Sequence, residues 1–330
     1  MFNAVTRKGI MKRRTFIALA SGALYIPKVF SQNFPSGPVK IIVGFSPGGG
    51  TDVIARIIAQ KLSLLWNVPV VVENRDGASG TLAGRIITKL PPDGSTLLMA
   101  NFSSHCGAAV LNPNVGYNVK RDFTPITLVG VSPCVLVCKE DNKIKSFDNV
   151  VKLCKSEPGK ISFGSVGVGS IQHLTLEMFN LRTRVETLHI PYKGSGPLLV
   201  DLVGGQISYS WENMASVTQY VKQGKLIALA QASNKRYKQF ADVPTTEELG
   251  FPGFEAATWY GLMGPPKMSP SVVQRINDDV NKVMALPEVV AMLDNLSAAG
   301  GGGSAKKFAD FIDEELVRWG KVVDEAKITI

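Results

Sequence analysis

Ser46 lies in a glycine-rich segment whose spacing is compatible with a catalytic site. Gly44-Phe45-Ser46-Pro47-Gly48 matches the Gly-x-Ser-x-Gly pattern that places a nucleophilic serine between a strand and a helix in α/β-hydrolases. In that chemistry the residue after the serine donates its backbone N–H to the oxyanion hole, and Pro47 has no N–H. Loss of one such donor costs about 3–4 kcal/mol of transition-state stabilisation. A secreted hydrolase using Ser46 is therefore only an alternative, and we expect no catalytic residue.

The same segment is better suited to hold an anion. Gly48, Gly49 and Gly50 precede Thr51 and Asp52 at a strand-to-helix junction, where glycines let backbone N–H groups approach a ligand. The helix N-terminus adds about half a positive charge. The segment lacks both the Gly-Lys-Ser/Thr of a P-loop and the Gly-x-Gly-x-x-Gly of a dinucleotide site. These features predict an anion site, and the structural alternative is a tight turn with Thr51 as the helix cap.

Two later segments repeat this arrangement. One runs from Ser165 through Gly167 and Gly169 to Ser170, which is placed to cap the helix that follows. The other is Tyr192-Lys193-Gly194-Ser195-Gly196-Pro197, also ahead of a helix. In open α/β sheets, ligands bind beyond the carboxyl ends of the strands, where such loops lie. A cleft between two domains that both present these loops would hold a small carboxylate through backbone donors.

Strands and helices alternate along most of the chain, which predicts an α/β fold with parallel strand pairs. Predicted strands cover residues 39–44, 70–73, 97–100, 134–138, 161–164, 187–190, 206–210, 226–230 and 259–263. Predicted helices follow residue 50 and cover 81–90, 147–156, 170–182, 197–203, 214–223, 270–285 and 287–297, and a final helix is capped by Ser304.

The last helices have no sheet of their own, so they must pack on a sheet that is already formed, most simply the N-terminal one. This predicts a discontinuous first domain of residues 32–133 plus 251–330. The second domain, residues 134–250, is then an insertion. The 330-residue length is consistent with two domains.

Residues 1–31 have the features of a secretory signal peptide. A basic cluster, Lys12-Arg13-Arg14, precedes an apolar run, and Val29-Phe30-Ser31 suits cleavage near Ser31. The two arginines also loosely fit a twin-arginine signal. Six of the 36 basic residues lie in this segment, which contains no acid, so the net charge of +9 falls to about +3 without it. That residual charge does not point to nucleic acid.

The cysteines and histidines show no metal-site spacing. Cys134 and Cys138 lie in one predicted strand, so their Cα atoms would be about 13 Å apart, beyond the reach of a disulfide. Cys106 and Cys154 are remote in sequence, and no Cys-x-x-Cys occurs. We expect the four cysteines to be small buried side chains, with one long-range bridge left open.

Several longer motifs follow one another along the chain, each occurring once. They include Val39-Lys40-Ile41-Ile42-Val43, Pro47-Gly48-Gly49-Gly50-Thr51-Asp52, Val72-Glu73-Asn74-Arg75, Pro92-Asp93-Gly94 and His189-x-Pro191-Tyr192-Lys193-Gly194. This set resembles the extracytoplasmic solute receptors of the tripartite tricarboxylate transporter family, known as Bug receptors. The similarity extends over almost the whole chain after the leader.

The resemblance implies a two-lobed periplasmic-binding-protein-like fold of type II, a Venus flytrap in which each lobe is a mixed, mostly parallel sheet flanked by helices. It implies a periplasmic monomer that captures a small organic carboxylate for membrane subunits of a tripartite tricarboxylate-type transporter. No catalysis, cofactor, metal or nucleic acid is expected. A receptor that signals to a membrane sensor is a further alternative.

The resemblance also implies which residues line the ligand. They are Phe45, Ser46, Pro47, Gly48, Gly49, Gly50, Asp52, Ser103, Ser165, Gly167, Gly169, Ser170, Tyr192, Gly194 and Glu212. In such receptors the position of Glu212 is more usually Asp. An acid there would repel a purely anionic ligand and attract an ammonium, so we hypothesise a zwitterionic or singly charged ligand. For Asp52 the alternative role is to stabilise the first helical turn by its charge.

Overall fold

The computed structural model describes residues 1–2, 34–112, 114–326 and 328. The predicted signal peptide lies outside the described residues except for its first two positions, and its cleavage near Ser31 stays a prediction. No helix among the described residues is long and apolar enough to cross a membrane.

Ten strands and ten helices follow one another in the described chain. The first part contains β1 (Val39–Val43), α1 (Gly50–Trp66), β2 (Val70–Asn74), α2 (Thr81–Ile87), β3 (Thr96–Asn101), α3 (Ala108–Leu111) and β4 (Thr124–Lys139). The middle contains α4 (Phe147–Ser156), β5 (Ser162–Ser165), α5 (Ile171–Thr183), β6 (Leu188–Pro191), α6 (Ser195–Gly204), β7 (Tyr209–Asn213), α7 (Met214–Lys222) and β8 (Leu226–Gln231). The last part contains β9 (Ala257–Gly264), α8 (Pro270–Met284), α9 (Pro287–Asn295), β10 (Ala299–Gly300) and α10 (Ala305–Ala326).

The strands form two sheets that share β4. In the first sheet the order is β2-β1-β3-β9-β4, with β10 also on β4; β1, β2 and β3 are parallel and β9 is antiparallel to its neighbours. In the second sheet the order is β4-β7-β5-β6, with β8 also on β4; β5, β6 and β7 are parallel. Each sheet with the helices packed on it is called the first half or the second half below. The predicted mixed α/β fold is confirmed.

Strand β4 changes partners partway along its 16 residues. Its first part pairs with β9 as far as Pro133, which lies opposite Ala257. From Cys134 onward it pairs with β7, with Cys134 opposite Asn213, and with β8. One continuous strand thus serves both sheets, and the change occurs between residues 133 and 134.

Apolar side chains cover both faces of the joined sheets, because successive residues of a strand point to opposite sides. Ile41 and Ile42 on β1 belong to two different buried clusters, as do Val135 and Leu136 on β4. Strands that are buried on both faces explain the near-continuous apolar runs in the sequence.

The three C-terminal helices pack on the first half. Asn277 of α8 donates to the carbonyl of Ile126 at 2.7 Å. Ser304 caps α10 by accepting from the N–H of Lys307 at 3.1 Å, and Phe308 of that helix lies against Gly261 of β9. A Cβ on Gly261 would lie 2.0 Å from the Phe308 ring, so only glycine permits this approach.

Two sequence predictions need correction. Strand β7 runs over Tyr209–Asn213, three residues later than predicted, because its ends are set by pairing with β4. Strand β4 begins at Thr124 and is much longer than the predicted 134–138. The four cysteines are free and buried, and burial raises the pKa of Cys134 to about 12.

Candidate functional site

The loop between β1 and α1 is held in shape by Asp52. One oxygen of its carboxylate accepts from the backbone N–H of Gly48 at 3.1 Å, and both oxygens accept from Arg56, at 2.8 and 3.0 Å. Asn74, at the end of β2, donates to the same carboxylate at 2.9 Å and to the carbonyl of Phe45 at 2.9 Å. Asp52 therefore fixes the turn that leads into Gly49 and Gly50, both of which are buried.

Burial alone would raise the pKa of Asp52, but the hydrogen bonds from Arg56, Gly48 and Asn74 outweigh it and hold the pKa below its usual value. The carboxylate is therefore ionised and internally paired at neutral pH. The Phe45 side chain is buried, and its ring packs beside Gly80. Only the backbone of Phe45 belongs to the loop surface. Helix α1 begins at Gly50 with Gly49 as N-cap, two residues earlier than a cap at Thr51 would place it.

The loop between β5 and α5 is shaped by serines and two histidines. Ser165 accepts from the N–H of Gly167 at 3.1 Å, and its hydroxyl lies 2.6 Å from Nε2 of His189. Ser170 caps α5 by accepting from the N–H of His173 at 3.2 Å, as predicted. The rings of His173 and His189 stack with centroids 4.3 Å apart. The N–H of Gly169 donates to Nδ1 of His173 at 3.3 Å, so that ring is an acceptor.

The second glycine loop touches the first half directly. Ser103 lies in a π-helical turn at Ser103–Gly107, and its hydroxyl accepts from the N–H of Ile171, the first residue of α5, at 3.2 Å. Ser79 donates to the carbonyl of Val168 at 2.6 Å. A Cβ on Gly107 would lie 2.0 Å from the carbonyl oxygen of Gly169. The close approach of these two backbones therefore depends on a glycine.

The third loop meets the first across the same junction. A Cβ on Gly194 would lie 2.3 Å from Oγ of Ser46, and one on Gly196 would lie 2.3 Å from the carbonyl oxygen of Pro47. The N–H of Gly50 donates to Oγ of Ser216, at the start of α7, at 2.9 Å. The N-terminal ends of α1, α6 and α7 therefore converge on one place.

Tyr192 and Lys193 lie at the outer side of this junction. The hydroxyl of Tyr192 donates to Asp201 at 2.8 Å, and burial together with that carboxylate raises the pKa of Tyr192 to about 12. A cavity of about 390 Å³ opens here between the halves, lined by Ser79, Arg85, Leu111 and Val168 among others. Among the described residues, neither Arg85 nor Lys193, which also lines it, has an ion-pair partner.

Four buried polar atoms at the junction make no hydrogen bond with any described residue. They are Ser46 Oγ, Gln172 Oε1, Glu212 Oε2 and Tyr260 Oη. Gln172 Nε2 donates to the other oxygen of Glu212. Tyr260 lies beside the first loop, since a Cβ on Gly50 would be 2.6 Å from its hydroxyl. A buried polar group without a partner costs about 1–3 kcal/mol, so this cluster is incomplete as it stands.

Glu212 is the carboxylic acid of this cluster. Glu212 is 0% exposed, and burial raises its pKa. The polar groups of Ser195, Gln172 and Ser216 act in the opposite direction and lower the pKa, but burial has the larger effect. Burial and the nearby Glu212 raise the pKa of Tyr260 well above its usual value. A group of this kind in a junction between two halves is a candidate ligand contact.

Metal binding and serine catalysis each require a particular set of neighbouring side chains. Within the described residues no group of three or more His, Cys, Asp or Glu side chains is placed to hold a metal ion. Ser46 Oγ has no hydrogen-bonded base in the described chain, whereas a serine nucleophile requires one.

The predicted ligand residues thus fall into two groups. Ser46, the three glycines after Pro47, Ser103, Gly169, Gly194 and Glu212 meet where the halves touch, and Pro47 contributes its carbonyl there. Gly167 also reaches the first half, where it lies against Ser79. Asp52, Ser165 and Ser170 instead hold the loops in shape through hydrogen bonds within each loop. Four further residues at the junction could not be predicted from the sequence, because their only local signal is proximity to a glycine loop or a strand end. They are Ser79, Gln172, Ser216 and Tyr260.

The amino-acid sequence matches a known protein family. Residues 54–328 match the model described as "Tripartite tricarboxylate transporter family receptor". Protein BugT of Bordetella pertussis is 37% identical over 310 residues, covering 94% of this chain and 95% of BugT.

Two solved structures share the fold with a ligand bound. R. palustris Rpa4515 with adipate has a TM-score of 0.87 and 30% identity, covering 90% of this chain and 99% of that one. MatC (Rpa3494) from Rhodopseudomonas palustris with bound malate has a TM-score of 0.82 and 30% identity, covering 88% and 100%.

Proposed function

The chain belongs to the tripartite tricarboxylate transporter receptor family, and on that premise we propose that it is a periplasmic solute-binding receptor. In this role it captures a small organic carboxylate between its two halves and delivers it to membrane transporter subunits of the same system. It acts as a monomer and performs no chemistry on the ligand. Signalling to a membrane sensor is the alternative fate of the bound form.

The observation that carries the proposal is the incomplete polar cluster at the junction. Three glycine-rich loops meet there, and Ser46, Gln172, Glu212 and Tyr260 each have a buried polar atom without a partner among the described residues. A bound carboxylate would supply the missing partners. The N-termini of α1, α6 and α7 add favourable partial charge for its negative end.

The ligand class rests on related proteins as well as on this geometry. The ligands in the two solved structures, adipate and malate, are both dicarboxylates. The two proteins that bind them cover 90% and 88% of this chain. Arg85 and Lys193, unpaired within the described part of the chain, line the cavity beside the second glycine loop, which Gly167 and Gly169 also line. Two unpaired cations there favour the approach of an anion.

We propose that the two halves act as the two predicted domains, residues 32–133 plus 251–330 and residues 134–250. Support comes from β4, whose pairing passes from β9 to β7 between Pro133 and Cys134. The chain returns at Ala256, whose carbonyl accepts from the N–H of Cys134 at 2.9 Å. Rotation about these two crossing points would open and close the cleft, and the ligand would favour the closed form.

In this scheme residues divide by role. Ser46, Gly49, Gly50, Ser103, Gly194 and Glu212 contact the ligand or close over it. Asp52 is a positioning residue, since its carboxylate is already held by Gly48, Arg56 and Asn74. Ser165 and Ser170 position the second glycine loop in the same way.

A hydrolase reaction at Ser46 is the competing function. Pro47 offers no N–H for an oxyanion hole, and Ser46 has no hydrogen-bonded base in the described residues. Both features favour binding without catalysis.

The test is ligand binding by residues 32–330 of the chain, followed by thermal shift and titration calorimetry with four- to six-carbon carboxylates. Saturation at 100 times Kd should stabilise the fold by about 2.7 kcal/mol. Tyr260→Phe removes a buried donor and should weaken affinity by about 3- to 30-fold, while Tyr220→Phe, at a half-buried position on α7, should not. Absence of binding to every carboxylate, together with esterase activity that Ser46→Ala abolishes, would refute the proposal.

A further inference from the structure

The four unpartnered atoms of the junction differ in chemistry according to the half that carries them. Ser46 and Tyr260, in the first half, have hydroxyl groups that can donate. Gln172 and Glu212, in the second half, leave carbonyl and carboxyl oxygens that can accept. The junction therefore has a donor side and an acceptor side.

The acceptor side is built from two fully buried side chains that are bonded to each other. Gln172 is 1% exposed and Glu212 is 0% exposed. The amide Nε2 of Gln172 donates to Oε1 of Glu212, and Oε1 of Gln172 and Oε2 of Glu212 have no hydrogen-bond partner among the described residues. No Lys, Arg or His of the described chain pairs with Glu212. The acid is thus buried without a cation of its own.

The donor side surrounds the start of α1. Tyr260 lies beside Gly50, and Ser46 precedes the three glycines of the loop. The partial positive charge of the helix end reinforces these hydroxyls, so this side suits a carboxylate.

We propose that the acceptor pair Gln172–Glu212 binds an ammonium group of the ligand, so that this receptor selects amino-bearing carboxylates over plain carboxylic diacids. The inference rests on the proposed function and specifies its substrate class. The carboxylate of the ligand lies at the Ser46–Tyr260 side, and its ammonium lies at the Gln172–Glu212 side.

A plain diacid leaves the acceptor side unsatisfied. Its second carboxylate has only acceptor atoms, which cannot bond to Oε1 of Gln172 and are repelled by an ionised Glu212. An ammonium has three donors and a charge that compensates the buried acid. An amino-bearing carboxylate also carries less net charge into the buried junction than the plain acid with which it is compared.

The experiment compares ligands that differ only in the ammonium. Calorimetric titrations of residues 32–330 use succinate against L-aspartate, glutarate against L-glutamate, and butyrate against 4-aminobutyrate. In at least one pair the amino-bearing ligand should bind on the order of 10- to 100-fold more tightly, as expected for a hydrogen-bonded charge.

Glu212→Gln keeps the size of the side chain and removes its charge. We expect it to abolish most of the preference within that pair, while affinity for the plain acid is unchanged or increased. Gln172→Met removes the second acceptor and should also reduce the preference for the amino-bearing ligand. This variant provides the test if Glu212→Gln does not fold. Gln274→Met, on the exposed face of α8, is the matched control and should leave the preference intact.

Proton release provides a test that needs no variant. Burial raises the pKa of Glu212, so binding of an ammonium beside it should release protons and affinity should rise with pH. Titratable groups on the surrounding elements include Tyr260, Cys134 and His173. Tyr260 on β9 and Cys134 on β4 have raised pKa values, that of Cys134 to about 12, and burial lowers the pKa of His173 on α5 to about 4. Gln172, Ser195 and Ser216 carry no charge.

The outcomes separate the two proposals. Tight binding of plain diacids without preference for the amino-bearing partner, or a preference that Glu212→Gln leaves intact, overturns this inference and leaves the receptor function standing. Affinity that falls as pH rises also overturns it, because that is the sign expected when a protonated Glu212 donates to a carboxylate. Failure of all six ligands, and of the wider carboxylate panel, overturns both.

Discussion

The backbone N–H of Gly50 and the hydroxyl of Ser216 are joined by a 2.9 Å hydrogen bond although 166 positions separate them in the chain. The bond connects the first turn of α1 in the first half with the first turn of α7 in the second half. The bond therefore crosses the junction between the two halves.

Ser216→Ala should weaken ligand binding by selectively destabilising the closed form. The lost hydrogen bond contributes about 0.5–1.5 kcal/mol, which corresponds to a 2- to 13-fold rise in Kd. Titration calorimetry measures the change. Ser156→Ala is the control, because its hydroxyl is exposed and bonds only within α4, to the carbonyl of Leu153. Equal Kd values for wild type and Ser216→Ala would contradict a role for this bond in closure.

Gly196→Ala should block closure without harming the fold. A Cβ at this position would lie 2.3 Å from the carbonyl oxygen of Pro47 in the opposite half, and overpacking of this kind costs about 1–3 kcal/mol. Because residue 196 is helical, alanine should leave the ligand-free protein as stable as wild type or up to about 1 kcal/mol more stable.

The two effects of Gly196→Ala are measured separately. We expect affinity to fall about 5- to 150-fold and the ligand-induced decrease in radius of gyration, followed by small-angle X-ray scattering, to diminish. Gly204→Ala, at the other end of α6, meets only the side chain of Gln206 at 3.9 Å and serves as the control. Normal compaction by the Gly196→Ala variant would rule out this steric account.

Phe308→Ala should destabilise the fold by about 3–5 kcal/mol, since it removes a ring that is 1% exposed and fills the space over Gly261. Urea unfolding monitored by tryptophan fluorescence provides the measurement. Val317→Ala on the same helix, at a side chain that is 58% exposed, should change stability by less than about 0.5 kcal/mol. Similar losses for both variants would mean that α10 is not anchored by its buried stripe.

Stability should fall as the pH is lowered from about 6.5 to 4, in part because of His173. Burial lowers the pKa of this imidazole from 6.5 to about 4, with a further contribution from the neighbouring His189. The folded protein therefore favours the neutral ring, while the unfolded chain takes up the proton near pH 6.5. The stabilisation is present above pH 6.5, and up to about 3 kcal/mol of it is lost on the way to pH 4.

His173→Gln retains an acceptor for the N–H of Gly169 and has no charge to gain. Its stability should therefore decline less than that of wild type between pH 6.5 and 4.5 in urea titrations. A residual decline should persist, because burial also lowers the pKa of His105, to about 3. An unchanged pH slope in the variant would show that His173 is not the group responsible.

The local elements could be predicted from the sequence because their signals lie within a few residues. Helix α4 was placed at its observed ends, 147–156, and α8 to within one residue, since Ser146 and Ser269 cap them from the adjacent position. The glycine loops were also recognised, because a strand, a glycine run and a helix follow one another directly.

Strand β4 shows where local signals fail. Pro125, Gly130 and Pro133 lie within it and argue against a strand. The structure accommodates two of these positions by shifts in the pairing with β9, between Pro125 and Thr127 and between Leu128 and Gly130. Those irregularities depend on the partner strand and could not be read from β4 itself.

The sequence by itself determined the class of fold, the family motifs and the three loops that present backbone donors. Only the tertiary structure decided which loops meet, that Asp52 is also held by Asn74 from the end of β2, and that Gln172 and Tyr260 lie at the junction around Glu212. The physical reason is range. Caps and turns are satisfied by neighbours in the chain, whereas the partners of a buried carboxyl are brought to it by the packing of strands and helices far apart in sequence.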